Sequence, residues 1–156
     1  MSTPPTDGRG LAPIVARHPF CADMSVADVA LLAGCAENVK FAPGELLFRN
    51  GAQANSSYLL RAGRVALVVH GAGVAETAEA GELLGWSWLH PPYRWHFDAR
   101  AETAVRAVRL DGDCLRRKCE ADPRFGFDLT RRILFQVTRR LERSRLHGLD
   151  VFRGAR

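Results

Sequence analysis

The sequence lacks any run of about 18 consecutive apolar residues, the length that a helix needs to cross a bilayer. Residues 1–10 also lack the apolar centre of a secretory signal, and we interpret them as a flexible tail. These two absences predict a cytoplasmic protein without a membrane segment. Residues 150–156 are expected to form a second tail, so that 11–149 make one domain of ordinary size.

The motifs of common catalytic sites are missing too. The chain has no nucleophile elbow, no Walker loop and no dinucleotide fingerprint. His96 and Asp98 alternate on an expected strand, but together with His90 and Cys114 they match no known metal-ligand spacing. We therefore expect no catalytic residue and no metal site, which favours a binding protein over an enzyme.

Cysteine is scarce, and its four copies form no CxxC pair. Scattered cysteines in a chain without an export signal are usually buried apolar side chains. We therefore expect separate structural thiols at Cys21, Cys35, Cys114 and Cys119.

What the sequence does have is a long middle region punctuated by glycine. Over 37–110, short apolar runs alternate with glycine turns at a spacing typical of a β-roll, barrel or sandwich. The runs 58–60 and 65–69 flank Gly63, which we expect to take a positive φ in a hairpin.

Helices are predicted on both sides of this region. Ser25 and Asp111 are placed to cap two of them. Asp122 followed by proline is a start signal for the last helix, which Gly148 is expected to end. The predicted helices span 11–17, 26–35, 114–121 and 123–147.

The helix predicted over 123–147 has an unusually wide apolar face. At 3.6 residues per turn, one broad side carries Phe127, Leu129, Ile133, Leu134, Val137 and Leu141. A helix that lies on one β-domain needs a narrower stripe, and Phe127, Leu134 and Leu141 repeat every seven residues. This width predicts a homodimer through 123–147. The alternative is one long helix that packs only into its own core.

Positive charge concentrates on the same helix. The chain has a formal net charge of +5, and seven arginines between 123 and 147 face only Asp128 and Glu142. We interpret the arginines as a solvated helix face, with nucleic-acid binding or a docking surface for an acidic protein partner as the alternatives.

The segment 81–101 is the most informative one for function. All three tryptophans of the chain, Trp86, Trp88 and Trp95, lie in it. Gly81 and Gly85 bracket a possible single helical turn, whose first N–H groups would form an anion-binding end. The tryptophans together predict a lined cavity.

Three ordered motifs carry a resemblance to a known family. They are Pro43-Gly44-x-x-x-Phe48-x-x-Gly51, Tyr58-x-Leu60-x-x-Gly63-x-Val65 and Gly81-Glu82-Leu83-Leu84-Gly85. Over about 26–149 the chain resembles the cyclic-nucleotide-binding domain of the catabolite-activator type. The resemblance implies an α+β fold, in which a double-stranded β-helix (a β-roll or jelly roll) follows short N-terminal helices and precedes a long C-terminal helix. The family's winged-helix domain has no counterpart here, so direct sequence-specific DNA binding is not expected.

The resemblance also implies a ligand site. Glu82 matches the glutamate that binds a ribose hydroxyl, and the phosphate-binding arginine and its hydroxyl neighbour fall on Trp95 and His96. Either Arg94 takes that role, or the ligand is not a usual cyclic nucleotide, because a tryptophan cannot neutralise a phosphate. Base contacts would fall near Thr130. The expected ligand-binding residues are Gly81, Glu82, Leu83, Leu84, Gly85, Trp86, Arg94, Trp95, His96 and Thr130.

These observations predict a non-catalytic ligand-sensing regulatory domain. Its ligand would be cAMP, cGMP or a flatter and more apolar molecule, with no required cofactor. Its output would pass through the C-terminal helix to a second subunit or a partner protein. The alternative is a ligand-free protein-interaction module, in which the tryptophans fill the pocket.

Overall fold

The computed structural model describes the backbone of residues 8–154 and the side chains of residues 10–145. The predicted tails therefore lie partly outside the described residues. Among the described residues near the two ends, residues 8–11 form a short 3-10 helix and residues 150–154 continue the last helix. The boundaries of the domain stay a prediction.

Within the residues that the structure describes, eight strands form two antiparallel sheets. The strands are β1 (Ala36–Phe41), β2 (Leu46–Phe48), β3 (Ser56–Ala62), β4 (Arg64–Val69), β5 (Gly73–Glu79), β6 (Leu83–Leu84), β7 (Asp98–Ala101) and β8 (Val105–Asp111). One sheet has the order β1-β8-β3-β6 and the other has the order β2-β7-β4-β5. The predicted α+β fold with a β-roll is confirmed.

The helices are α1 (Ala12–Arg17), α2 (Val26–Ala33), α3 (Gly112–Ala121) and α4 (Pro123–Gly154). Each of the three predicted caps is in place. Ser25 Oγ accepts from the Asp28 N–H at 3.1 Å, and the Asp111 and Asp122 carboxylates accept from amides three residues on. The predicted end of the last helix was wrong, because α4 continues through Gly148, a residue that a helix tolerates at a small cost.

The hairpin predicted around Gly63 was also wrong. Gly63 does take a positive φ, of 89°. However, β3 pairs with β6 and β8, whereas β4 pairs with β5 and β7. A side chain at Gly63 would run into the carbonyl oxygen of Ala104. The glycine therefore lets the chain cross from one sheet to the other at a tight point.

Two hydrophobic cores lie on opposite faces of the first sheet. Adjacent residues of a strand point to opposite faces. Leu59 and Leu83 accordingly join the helices in one core, and Leu60 and Leu84 join the other core. We call this second core, between the two sheets, the roll interior. Burial on both faces explains why Tyr58, Leu59 and Leu60 follow one another in β3 as apolar residues without alternation.

A disulfide joins Cys35, directly before β1, to Cys114 in α3. The prediction of four separate thiols was therefore wrong for this pair and right for Cys21 and Cys119. Burial raises the pKa of the Cys21 thiol to about 11, so this thiol is inert at neutral pH. Disulfides are typical of oxidising compartments, so the pair gives no support to the predicted cytoplasmic location.

Candidate functional site

The roll interior is filled by Trp95. Its side chain is only 3% exposed and stacks on Phe48, with ring centroids 3.8 Å apart and planes 11° apart. Phe97 tilts against the same Phe48 ring at 5.5 Å. Gly85 lies against the indole, and a Cβ there would come within 2.8 Å of the ring. An indole thus occupies the space into which the resemblance placed a cyclic phosphate.

Backbone pairing fixes the direction of this indole. The Trp95 N–H donates to the Ala52 carbonyl at 3.0 Å, and its own carbonyl accepts from the Gly51 N–H at 2.8 Å. The neighbours Arg94 and His96 are exposed, and Arg94 Nη1 donates to the Gly51 carbonyl at 3.0 Å. Arg94 therefore lies outside the roll interior, and the alternative in which it replaces a phosphate-binding arginine has no geometric support.

The helical turn predicted over Gly81–Gly85 was wrong. Leu83 and Leu84 form β6, which pairs with β3. The N–H groups of residues 81, 82 and 83 are all bonded within the protein, so they do not form an anion-binding end. A turn instead follows Gly85, where the Leu89 N–H donates to the Trp86 carbonyl at 3.1 Å. Trp86 opens this turn, whereas Glu82, which the resemblance matched to the ribose-binding glutamate, lies before β6.

Glu82 faces α4 instead of the roll interior. Its Oε1 accepts from Arg143 Nη2 at 2.6 Å and lies 3.6 Å from Arg140 Nη2. Its other oxygen accepts from the Glu79 N–H at 2.6 Å. One residue on, the Leu83 N–H donates to Gln136 Oε1 at 2.7 Å, and the Gln136 amide donates back to the Leu83 carbonyl.

We call the contacts of Gln136, Arg140 and Arg143 with residues 82 and 83 the α4 latch. Burial by itself raises the pKa of Glu82, but the hydrogen bonds from Arg143 and Glu79 and the nearby arginine charges lower it overall. Arg140 is 6% exposed, and burial lowers its pKa. Its guanidinium lies 5.1 Å from the centre of the Trp86 ring. The latch thus holds a buried cation between a carboxylate and an indole.

The predicted site residues do not all lie together in the structure. Leu84, Gly85 and Trp95 lie at the roll interior, Leu83 lies in the core that contains the helices, and Trp86 opens the turn after Gly85. Glu82 and Gly81 face α4, where Gly81 borders a groove. At the surface lie Arg94, His96 and Thr130.

The latch arginines were not among the predicted site residues. Arg140 and Arg143 were assigned to a solvated face, but Arg140 is buried and both meet Glu82. Two further arginines of that face are paired with carboxylates, Arg124 with Asp28 at 2.6 Å and Arg132 with Asp128 at 2.9 Å. A count of charges along one helix gives no sign of such pairs, because three of the four arginines pair with residues far along the chain.

The apolar side chains of α4 form two groups, one buried and one exposed. Leu129 and Ile133 are buried in the core that contains the helices. Phe127, Leu134 and Leu141 remain 69%, 63% and 51% exposed. These three residues are the ones that repeat every seven, and we call them the heptad face.

No group of three or more histidine, cysteine, aspartate or glutamate side chains within the described part of the chain is placed to hold a metal ion. Cys114, which the sequence interpretation weighed as a ligand beside His90 and His96, is bonded to Cys35. Across the described residues, no helix combines the length and the apolar character of a membrane span.

Comparison with solved structures returns many similar folds. A protein of Geobacter metallireducens GS-15, provisionally named a cyclic nucleotide-binding protein, is 26% identical with a TM-score of 0.76, over 86% of this chain and 98% of that chain. The regulatory subunit of a cAMP-independent protein kinase A from Trypanosoma cruzi, bound to guanosine, is 21% identical with a TM-score of 0.61, over 77% of this chain and 47% of that chain. The regulatory domain of Toxoplasma gondii PKA with cAMP is 16% identical with a TM-score of 0.61, over 70% of this chain and 44% of that chain. The last two likenesses show the fold alone.

A search of curated proteins found no match to this sequence. A family model matches residues 38–122, which is more than half of the chain. The match runs from β1 through the roll to the end of α3, so it includes Trp86, Trp95 and the residues of the latch that precede α4. Its description is the cyclic nucleotide-binding domain, and the chain therefore belongs to the cyclic nucleotide-binding domain family.

Proposed function

We propose that the chain is a non-catalytic regulatory domain that responds to a small ligand at the β-roll and passes the response to α4. The observation that carries this proposal is the α4 latch. Three side chains of α4 contact residues 82 and 83, which connect β5 to β6 and to the turn that Trp86 opens. A ligand that moves this turn changes the contacts of α4 directly.

The ligand chemistry follows from the two tryptophans. A cyclic phosphate is held best by a guanidinium or by free N–H groups. The roll interior offers the indole of Trp95 instead, and the exposed Arg94 points elsewhere. We infer a flat ligand with little charge, of the nucleoside class, that takes the place of Trp95 on Phe48. The Trypanosoma cruzi relative, bound to guanosine, supports this class, and the Toxoplasma gondii relative makes cAMP the reference ligand.

A ligand-free protein-interaction module is the second candidate. The observation that favours it is the Trp95–Phe48 stack, which already fills the roll interior. In this case the indole is a permanent part of the core, and the domain acts only through its surfaces.

Calorimetry with guanosine, cAMP and cGMP separates the two candidates. The sensor requires saturable heat with the wild-type chain, strongest for guanosine. The module predicts no heat with the wild type but binding to Trp95→Ala, in which the space is open. Trp88→Ala is the matched control, because Trp88 is 0% exposed and lies in the other core. No binding by any of the three proteins refutes a nucleoside ligand.

We further propose that the chain is a homodimer through the heptad face of α4. The exposed fractions of Phe127, Leu134 and Leu141 support this, since large apolar side chains at heptad spacing are covered in coiled coils. Sedimentation equilibrium of the wild type tests it, and a monomer at all concentrations refutes it.

A further inference from the structure

A groove outside the roll runs along one side of α4. Its volume is about 450 Å³. The N-terminal segment around Pro19 and Phe20 forms one wall, and α4 forms the other. Gly81, next to the α4 latch, lies at its edge.

Some of the arginines on the α4 wall have no carboxylate partner in the groove. Arg132 is fully engaged, because it pairs with Asp128 and donates to the carbonyls of Phe20 and Ala22. Arg131 and Arg139 are exposed, and neither has a carboxylate partner among the described side chains. We call the surface formed by Arg131, Phe135 and Arg139 the arginine groove.

Phe135 lies midway between the two arginines. It is 65% exposed, and the Arg139 guanidinium lies 5.8 Å from the centre of its ring. Residues four apart share one side of a helix. The three side chains therefore form a cation–aromatic–cation row that faces the groove. Such a row fits a ligand that is apolar in the middle and negative at both ends.

The distance between the two arginines sets the distance between the two negative groups of the ligand. Arg131 and Arg139 are eight residues apart, which is about 12 Å along a helix. An extended chain covers that distance in about four residues, and its residues i, i+2 and i+4 point the same way. A peptide with carboxylates at i and i+4 and an apolar side chain at i+2 thus meets all three residues of the row.

We propose that the arginine groove docks an extended acidic segment of a partner protein, with two carboxylates four residues apart and an apolar side chain between them. The proposal deepens the proposed function and rests on its output through α4, because a segment seated here lies beside Gly81 and the latch. Phe135 is one residue from Leu134 and therefore about 100° around the helix from the heptad face. Phe135 and the dimer contact thus lie on different sides of α4, and Arg131, four residues from Phe127, lies between them.

Fluorescence anisotropy of the full chain tests the docking surface. The probe is a fluorescein-labelled peptide whose core is Glu-Gly-Leu-Gly-Glu. Arg131→Glu/Arg139→Glu is expected to weaken its binding about tenfold, because two exposed attractions become repulsions. The matched control is Arg49→Glu/Arg117→Glu, which makes the same change in net charge at two exposed arginines outside the groove. The affinity of this control variant for the peptide is expected to stay within about twofold of the wild-type affinity. The measurement is made in moderate salt, which screens long-range effects of the changed net charge.

Two further probes check the chemistry of the ligand. A peptide with glycine in place of the leucine is expected to bind several-fold more weakly, and a peptide with lysines in place of the glutamates is expected not to bind. The inference is overturned if both double variants weaken binding equally, or if single-stranded DNA binds better than the acidic peptide. It is also overturned if Arg131→Glu/Arg139→Glu turns a dimer into a monomer, since a second copy would then cover the groove. Nucleoside calorimetry on the same variants stays independent, so failure here is distinct from failure of the proposed function.

Discussion

Replacement of Trp95 by alanine is the most direct test of the roll interior. A buried tryptophan replaced by alanine costs about 3–5 kcal/mol, through lost burial and the cavity that is left. Trp95 belongs in the upper part of that range, because it is 3% exposed and stacked on Phe48, and aromatic pairs add about 0.5–1.5 kcal/mol. For a chain of this size we expect the midpoint of thermal unfolding to fall by about 10 °C.

Circular dichroism during heating and in urea measures this loss. Trp88→Ala is expected to lose a similar free energy, because Trp88 is 0% exposed. Only Trp95→Ala, however, opens a cavity between the two sheets. Added indole should raise the unfolding midpoint of Trp95→Ala, because it can refill the space between the two sheets. A loss below about 1 kcal/mol, or no rescue of Trp95→Ala by indole, would refute a roll interior packed by Trp95.

Four more outcomes follow from the structure. Burial lowers the pKa of His18 below its ordinary 6.5, so its neutral form stabilises the fold above that pH. The free energy of unfolding should fall as the pH drops below 6.5, less so in His18→Gln, and parallel urea curves check this. Glu82→Gln should cost about 1–3 kcal/mol in urea unfolding, because it removes the carboxylate 3.6 Å from the buried Arg140, and no loss would contradict the latch. Gly63→Ala should destabilise by about 2–4 kcal/mol through strain and a clash, whereas Gly71→Ala, which has a positive φ but open space, should lose about 1 kcal/mol. Leu134→Glu should yield a monomer in sedimentation with monomer stability within about 0.5 kcal/mol, and an unchanged dimer would refute the heptad face.

Features set by neighbouring residues were predictable from the sequence. The caps at Ser25, Asp111 and Asp122 each act on an amide three residues away. The positive φ of Gly63 is likewise a property of that residue. The ordered glycines and strands were enough for the fold and the family, because they mark turns at characteristic distances along the chain.

Features set by distant residues were not predictable. Gly63 permits a turn, but the pairing of Ser57 with Leu110 decides which sheet β3 joins. The Glu82–Arg143 pair spans 61 residues, so nothing in the local pattern distinguishes that arginine from a solvated one.

The directions of the predicted site residues could not be read from the sequence. The tryptophans were expected near a cavity, and filling by an indole was the stated alternative. Trp95 is the tryptophan that fills the roll interior, because its backbone hydrogen bond to Ala52 turns its side chain inward. That hydrogen bond joins residues distant in the sequence. Trp86 begins the turn because Leu83 and Leu84 before it form β6. A strand of two residues is too short to show an alternating hydrophobic pattern in the sequence.

The disulfide has a mechanical consequence for the roll. Cys35 and Cys114 lie at the entrance and the exit of the β-strands and are 79 residues apart. Tension applied between the N-terminal helices and α4 therefore passes through the sulfur atoms and bypasses the strands. Pulling on the oxidised chain unravels only the helical ends, whereas after reduction the same pull releases about 280 Å of additional contour, at about 3.6 Å per residue. The roll is thus a closed ring that carries no load until a reductant opens it.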